Sequence, residues 1–384
     1  MTDQTLLPAW KDRRRWNARG LNQTQEMLFH WIASVATLLL GLGWGWSIWA
    51  SHTVQGRVEE GELASRGMTA SPIGRSSAER LSDALTGSPQ VHLSFLNEAI
   101  RRYESPLRGQ SGKLRAVIGL PGQSITKSTD PGLGFKIGQS TTAELMMPAG
   151  PGVYPIALEF RRMTRGIENF HLISMVPFKE KREGRIGTYR LGSWPYEDGS
   201  KPVLPSYADP PGFIQVTKEN LDVHVSEHFR LRDFLTKDQA DVWPKYVLIN
   251  PAMLDKLELM IVELESMGVD VRHVTVMSGF RTPRYNAGGG NTGGRANLSR
   301  HMYGDGVDVF LDNDKNFWTD DVNGDGRVNV ADAEMMAKAV ERVEQKYPSL
   351  VGGIGIYPAC CGHGPFIHVD VRGKRARWRG TGSG

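Results

Sequence analysis

Cysteine is almost absent from this sequence. Among 384 residues there are two, Cys360 and Cys361, and they are adjacent. Neighbouring cysteines cannot tie distant segments together, so a disulfide framework is excluded as the basis of the fold. The pair could close a vicinal ring or remain as two thiols, and the sequence leaves both possibilities open.

A strong charge of one sign is also lacking. The formal net charge is +4, and much of the basic excess lies in the N-terminal tail and in a short stretch near residues 372–379. Aromatic residues are not interspersed among these basic residues, and no nucleic-acid-binding motif is present. The basic excess therefore does not indicate DNA or RNA binding. The glycine-rich loop AGGGNTGGRA lacks the GK[ST] of a P-loop, so it predicts a flexible rim and not a nucleotide site.

Long apolar runs are absent with one exception, residues 27–50, MLFHWIASVATLLLGLGWGWSIWA. Its length matches the about 20 apolar residues that span a bilayer. Basic residues dominate the preceding segment, which predicts a cytoplasmic tail at 1–26, a single-pass anchor in the inner membrane at 27–50 and export of the rest. A cleaved signal peptide is the alternative, but the run is long for one and no clear A-x-A site follows it.

Changes in composition and hydrophobic pattern divide the part predicted to be exported into three regions. Residues 51–110 are polar and predict a stalk or linker. Residues 111–217 contain short apolar runs split by Gly and Pro, and the alternation of Ile156, Leu158 and Phe160 predicts half-buried strands. Several such strands in about a hundred residues indicate a small, immunoglobulin-like β-sandwich.

Residues 218–384 predict an α+β domain. Asn250 and Pro251 are suited to begin a helix that Gly268 ends, and a second helix is expected over about 330–347. Strands are expected at VTVMSGF, at GVDVF and at the late segments GGIGIYP and FIHVDVRG.

Three groups of zinc-ligand type stand on these predicted strands or at their edges. His301 and Asp308 lie seven positions apart within the segment SRHMYGDGVDVF, and His368 lies between apolar residues in FIHVDV. An unpaired carboxylate is costly to bury, and a metal ion would offset that cost. Three protein ligands with an open fourth position is the pattern of a catalytic zinc site, whereas a solvated turn and a satisfied core histidine form the alternative interpretation.

The segments SGFRTPRYN, SRHMYGDGVDV and GIGIYP…FIHVDVRG, in that order, resemble the M15 family of zinc peptidases. The resemblance covers roughly residues 218–380 and is closest to the murein endopeptidase and D-Ala-D-Ala carboxypeptidase branch, similar to the LAS enzymes. HFRLRDF, residues 228–234, resembles the family's entry segment. The predicted fold class is therefore α+β: an N-terminal transmembrane helix, a small β-sandwich and a C-terminal LAS-like zinc peptidase domain.

By this resemblance His301, Asp308 and His368 are the zinc ligands. Arg281 is expected to clamp a substrate carboxylate, because its planar fork of donors suits one. Ser278 and Asn286 are expected to bind substrate or to shape the loop that carries Arg281. The resemblance implies peptidoglycan stem peptides or cross-links as the substrate, consistent with export to the periplasm or another extracytoplasmic space.

The resemblance does not identify the general base. Many relatives place Glu or His two or three positions before the last ligand, where this chain has Phe366 and Pro365. His363, in the loop CCGHGP, and Asp370, two residues after His368, are the candidates. We favour His363 as the base and Asp370 as the group that orients His368. If neither serves, the domain would be a non-catalytic peptidoglycan-binding or scaffold module that retains the fold.

A calcium loop is predicted within the same domain at DVNGDGRVNVAD, residues 321–332. Oxygen ligands at EF-hand spacing would come from the side chains of Asp321, Asn323, Asp325, Asn329 and Asp332 and from the main-chain carbonyl of Arg327. The loop resembles a single dockerin repeat, since position 12 is Asp and no good helix precedes it. A polar turn is the alternative, and a bound Ca²⁺ would be structural.

Overall fold

Strands separated by glycines and prolines are the predominant regular structure in a computed structural model, which describes residues 100–160, 163–288, 296–360 and 362–380. The strands are β1 (Ala116–Gly119), β2 (Ser124–Lys127), β3 (Leu133–Ile137), β4 (Ser140–Thr142), β5 (Glu144–Met146), β6 (Gly152–Phe160), β7 (Met163–Ser174), β8 (Val176–Pro177), β9 (Arg185–Ile186), β10 (Tyr189–Arg190), β11 (Gly212–Val216), β12 (Lys245–Val247), β13 (Val274–Ser278), β14 (Gly306–Leu311), β15 (Gly353–Tyr357), β16 (Phe366–Asp370) and β17 (Ala376–Arg379). The α-helices are α1 (Pro251–Ser266), α2 (Pro283–Gly288) and α3 (Val330–Lys346).

The predicted fold class is wrong. The described residues form mostly β-sheet with few helices, and none of their helices is long and apolar enough to cross a membrane. The predicted anchor, residues 27–50, lies outside the described residues, as do the tail before it and the stalk up to residue 99. The physical reason is that glycines and prolines repeatedly break the apolar runs, and the resulting short segments satisfy their backbone groups in ladders between strands.

The β-rich region has a sheet of order β1-β7-β6-β3-β4, in which β1 pairs in parallel with β7. The smaller pair β2-β5 supplies Leu145 to the same core as Phe135 and Leu158. A third sheet, β12-β11-β8, crosses the predicted domain boundary at residue 217, because β11 hydrogen-bonds to β12 beyond it. The side chains around Trp194 and Phe213 accordingly belong to the core of the C-terminal region.

The sheet that carries the predicted metal ligands has the order β13-β14-β16-β15-β17. Val307, Val309, Ile367 and Val369 are buried in the same core as the apolar stripes of α1 and α3. Side chains alternate between the two faces of a strand, so the residues between them, Asp308 among them, point to the opposite face. One face of the sheet is thus apolar and covered by helices, and the other is available for chemistry.

The predicted helix after Asn250 is confirmed. The Asn250 side chain accepts a hydrogen bond from the Ala252 amide at 2.9 Å, and Pro251 occupies the first turn. Leu254, Leu257, Ile261 and Leu264 form an apolar stripe along it that is buried, and Gly268 beyond its end has φ +85°. The predicted second helix is confirmed as α3, and its cap at Asn329 is completed by Asp332.

Candidate metal centre

His301, Asp308 and His368 converge on the open face of the sheet. Asp308 on β14 lies directly opposite His368 on the antiparallel strand β16. His301 comes from a single 3₁₀ turn, Arg300–Tyr303, that immediately precedes β14. In the described part of the chain these three residues form the only group of three or more His, Cys, Asp or Glu side chains whose ligand atoms all lie within 4.8 Å of one another. All three are buried.

The protonation of His301 follows from its neighbour. Its Nδ1 lies 2.7 Å from the carbonyl oxygen of Gly279, which can only accept a hydrogen bond. Nδ1 therefore carries the proton, and Nε2 turns a bare lone pair toward Asp308 and His368. Gly279 in turn packs closely on the backbone of another segment, because a Cβ at that position would lie 2.6 Å from the Cα of Phe234.

His368 is oriented in the same way by a carboxylate. Its Nε2 lies 3.1 Å from Oδ2 of the fully buried Asp370. Arg372 donates to both oxygens of Asp370, and the Gly353 amide donates to Oδ1 at 2.8 Å. Burial by itself would raise the pKa of Asp370, but the hydrogen bonds from His368 and Arg372 outweigh it and hold the pKa far below the usual range. Nε2 of His368 therefore donates to an ionised carboxylate, and Nδ1 is the free ligand atom.

Three electron-pair acceptors thus face one another at short range. His301 Nε2 lies 3.2 Å from His368 Nδ1 and 3.3 Å from Asp308 Oδ1, and the last two atoms are 2.9 Å apart. Zn²⁺ bonds of about 2.0–2.1 Å at tetrahedral angles separate neighbouring ligand atoms by about 3.3 Å. The residues therefore fit a zinc ion. Without a metal the arrangement needs a proton, and indeed burial lowers the pKa of His368 less than its hydrogen bonds to Asp308 and Asp370 raise it.

Arg281 braces the aspartate ligand. Its Nη2 donates to Asp308 Oδ2 at 2.6 Å, and its Nε donates to Ser278 Oγ at 2.8 Å. Burial would raise the pKa of Asp308, but its two histidine neighbours and the positive charge of Arg281 outweigh burial and hold the pKa well below its usual range. Arg281 keeps a side-chain exposure of 14%, so the guanidinium can face a substrate while it holds the ligand. Its role as a carboxylate clamp stays a prediction.

Ser278 and Asn286 occupy supporting positions. Ser278 closes β13 opposite Asp308, beside a bulge that follows Val276. Asn286 is buried on α2, and its Nδ2 donates to the carbonyl oxygen of Ala296 at 3.1 Å. That bond joins the two ends of a segment, 289–295, that lies outside the described residues. Both side chains shape the loop around Arg281.

The two candidates for the general base have different surroundings. Both oxygens of Asp370 are occupied by donors, and the carboxylate is fully buried. His363 lies in the loop before β16, with its ring 5.0 Å from that of Phe366 and nearly perpendicular to it. Its Nδ1 lies 2.8 Å from the Gly364 carbonyl oxygen, so this nitrogen carries the proton and Nε2 is free to accept one. Asp370 therefore orients His368, and the role of His363 as the base stays a prediction.

The predicted calcium loop is tightly wound on its own backbone. Asp321 accepts hydrogen bonds from the amides of Gly324 at 2.8 Å and Gly326 at 2.7 Å, and Asn323 and Asp325 accept from amides two residues further on. The carboxylate of Asp332 accepts from the Val322 amide and caps α3. The main-chain carbonyl of Arg327 and the side chain of Asn329 complete the predicted set. Calcium binding stays a prediction, because the loop's carboxylates do not form a close group of three among the described residues.

This loop is connected to the metal face. Thr319, two residues before it, is buried, and its hydroxyl donates to the carbonyl oxygen of Pro365. A Cβ at Gly364 would lie 2.7 Å from the Thr319 Oγ1, so the two segments are in close contact. The predicted calcium loop therefore begins close to the segment that carries His363. Cys360 in that segment is disulfide-bonded, and Cys361 lies outside the described residues.

Sequence reasoning missed an aromatic group on the same face. Tyr357 at the end of β15 stacks on Phe366, with ring centroids 4.6 Å apart and planes 2° apart. Trp378 on β17 lies with its ring centroid 5.3 Å from that of His368. The signal available was the parity of Phe366 and His368, which places both on one face of a strand. Finding Tyr357 and Trp378 also required the strand pairing, which the sequence does not show.

Comparisons of this chain with protein-family models, with curated proteins and with solved structures find no match. The functional argument therefore depends on the geometry of the site and on the motif resemblance.

Proposed function

We propose that this protein is a zinc metallopeptidase that cleaves peptide bonds in peptidoglycan, in its cross-links or stem peptides. The observation that carries the proposal is the convergence of His301 Nε2, Asp308 Oδ1 and His368 Nδ1 at separations that suit tetrahedral zinc. The resemblance of the surrounding motifs to the M15 family supports the substrate class.

The chain's own residues supply the remaining parts of a hydrolytic site. When bound, zinc lowers the pKa of a water and polarises the scissile carbonyl. His363 takes the proton of the attacking water on Nε2 and returns it to the leaving amine. Arg281 holds Asp308 in place and offers its partly exposed edge to a substrate carboxylate. Asp370 keeps His368 in the tautomer that leaves Nδ1 free.

The test is digestion of purified murein by the full chain, first stripped with a chelator and then reloaded with zinc. The released products are identified by mass spectrometry. We expect new free peptide termini only with the zinc-loaded protein. Replacing any one of the three ligands by Ala should remove most of the metal and all turnover, whereas His224→Ala, a histidine outside the site, should change neither.

The role of His363 is tested separately. His363→Ala should retain the zinc and lose roughly 10²–10⁴-fold in rate, the usual contribution of a general base. Full activity of this variant would assign the base to another residue.

A non-catalytic peptidoglycan-binding module is the second candidate, and one observation favours it. Phe366, which shares a face with His368, occupies a position where many relatives place the base. A protein that binds zinc and sediments with murein but releases no products would support this candidate and would refute the peptidase.

A further inference from the structure

The pairing of β15 with β16 places Tyr357 on the face of the sheet that carries Asp308 and His368. On β15 it shares a face with Gly355, which lies opposite His368 in the register of the sheet, and Tyr357 itself lies opposite Phe366. The stacked ring of Phe366 fixes the plane of the phenol. Gly355 leaves room beside His368, and Trp378 fills it, since a Cβ at Gly355 would lie 2.5 Å from the indole ring.

The hydroxyl oxygen of Tyr357 accepts one hydrogen bond, and its proton is available to donate another. Trp378 Nε1 lies 2.8 Å from Tyr357 Oη, and an indole N–H can only donate. In the residues that the structure describes, no acceptor takes the proton of the Tyr357 hydroxyl. A half-buried hydroxyl with a free proton, held in place by a stacked ring and a hydrogen bond, is a pre-organised donor.

The electrostatic surroundings keep this donor protonated. Burial raises the pKa of Tyr357, and the negative charge of Asp308 raises it further, while Arg281 opposes the change. The phenol is therefore neutral across the physiological range. Geometry places the hydroxyl near the proposed ligands, because Trp378, which donates to it, has its ring centroid 5.3 Å from that of His368.

We propose that Tyr357 is a catalytic residue that donates a hydrogen bond to the oxygen of the scissile carbonyl as this oxygen becomes negatively charged. The inference rests on the proposed peptidase function and adds a residue to its site. No proton is transferred in this step: the phenol keeps its proton, and the bond strengthens as charge develops on the acceptor. Trp378 is a positioning residue: its indole N–H donates to the oxygen of the Tyr357 hydroxyl and thereby orients the hydroxyl proton.

Tyr357→Phe is the direct test, because it deletes the hydroxyl and keeps the ring that stacks on Phe366. We expect zinc content and KM for a purified cross-linked muropeptide to stay at wild-type values. kcat should fall by roughly 10²–10³-fold, the usual loss when one oxyanion donor is removed. An unchanged kcat, or a loss of zinc that accounts for the fall, would overturn the assignment.

Trp378→Phe is the matched control. It removes the indole N–H but leaves the Tyr357 hydroxyl in place, so it should lower kcat by less than Tyr357→Phe does. Combined with Tyr357→Phe it should have no further effect on kcat, because its action passes through the lost hydroxyl. Equal losses in the two single variants would show that the hydrogen bond between them matters only structurally.

A binding measurement keeps the test independent of turnover. A phosphinate peptide, which carries negative charge where the carbonyl oxygen would, is titrated calorimetrically into zinc-loaded wild type and Tyr357→Phe. We expect the variant to bind it more weakly by a factor similar to the fall in kcat, while a plain product peptide binds both proteins equally. If wild type has no turnover, the proposed peptidase fails, and equal phosphinate affinities would then separately refute the role of Tyr357.

Discussion

At the scale of single residues, the site is defined by which nitrogen of each histidine is free. The backbone carbonyl of Gly279 selects Nδ1–H in His301, and the carboxylate of Asp370 selects Nε2–H in His368. Opposite ring nitrogens are thereby presented to the same point. A change of tautomer at either histidine would replace a ligand by a proton and remove metal affinity.

This reasoning predicts the effect of changing Asp370. Asp370→Asn keeps the size of the side chain but removes the charge that fixes the tautomer of His368 and pairs with Arg372. We expect zinc affinity to fall by about 10–100-fold, the usual cost of losing such a supporting carboxylate. Competition with a chromogenic chelator measures it. An unchanged affinity would mean that the strand alone orients His368.

At the scale of secondary-structure elements, α1 is tied to the preceding segment by an ion pair between the half-buried His228 and the buried Glu258. His228 donates from Nδ1 to the Glu258 carboxylate at 2.7 Å, and its backbone amide donates to the same carboxylate at 2.9 Å. The side-chain hydrogen bond to Glu258 raises the pKa of His228. For Glu258, burial would raise the pKa, but the hydrogen bond from His228 outweighs it and lowers the pKa.

The pair makes stability depend on pH with a definite sign. Because the folded pKa of His228 is raised, its contribution is fully present below the unfolded value of about 6.5 and is lost as pH rises through the folded pKa. The lowered pKa of Glu258 gives a contribution that is present above about 4.3 and is lost as pH falls. His228→Gln should therefore lower the Tm most between these two values and less at alkaline pH. A Tm difference that grows with rising pH would contradict this assignment.

The calcium loop is the second element that yields a prediction. A ligand that binds only the folded state raises stability by an amount that grows with its concentration. We therefore expect Ca²⁺ to raise the Tm of the wild type, and Asp321→Ala combined with Asp325→Ala to abolish the rise. Asp314→Ala, at an exposed carboxylate outside the loop, is the control and should keep the calcium-dependent shift. No change in the Tm of the wild type on addition of Ca²⁺ would refute the calcium site.

At the scale of the whole molecule, all described residues belong to one compact unit, and its C-terminal sheet is locked to its helices by a buried charge network. Lys256 on α1 is fully buried and donates to Glu344 on α3 at 2.7 Å and to the carbonyl oxygen of Asp370 on β16 at 2.8 Å. Arg377 on β17 also donates to Glu344. One cation therefore fixes the end of the strand that carries His368.

Removing that cation should be costly. Lys256→Met leaves the buried carboxylate of Glu344 with less compensation, and breaking a buried pair from one side costs about 3–5 kcal/mol. Arg377→Met removes a partly exposed partner of the same carboxylate and should cost less. Urea unfolding of the two variants measures the difference. Equal losses would show that burial of Lys256 does not set the energetics of the network.

The sequence by itself determined which three residues converge as candidate metal ligands and where the two long helices begin and end. Local signals are sufficient for these, because each comes from residues close together in the sequence. They are the cap at Asn250, the helical apolar stripe and the motif segments around His301, Asp308 and His368. The same signals misjudged the fold class, because alternation shows that a segment is a strand but not which strand it joins.

The tertiary structure alone decided the partners. The register of β14, β16 and β15 sets Asp308 opposite His368 and brings Tyr357 beside Phe366, and β17 adds Trp378 from a segment whose sequence shows mainly basic charge. The tautomers of the two histidines likewise depend on a carbonyl and a carboxylate supplied by the folded chain. These contacts join residues far apart in sequence, and the physical reason is that strand pairing, not local propensity, chooses which side chains share a face.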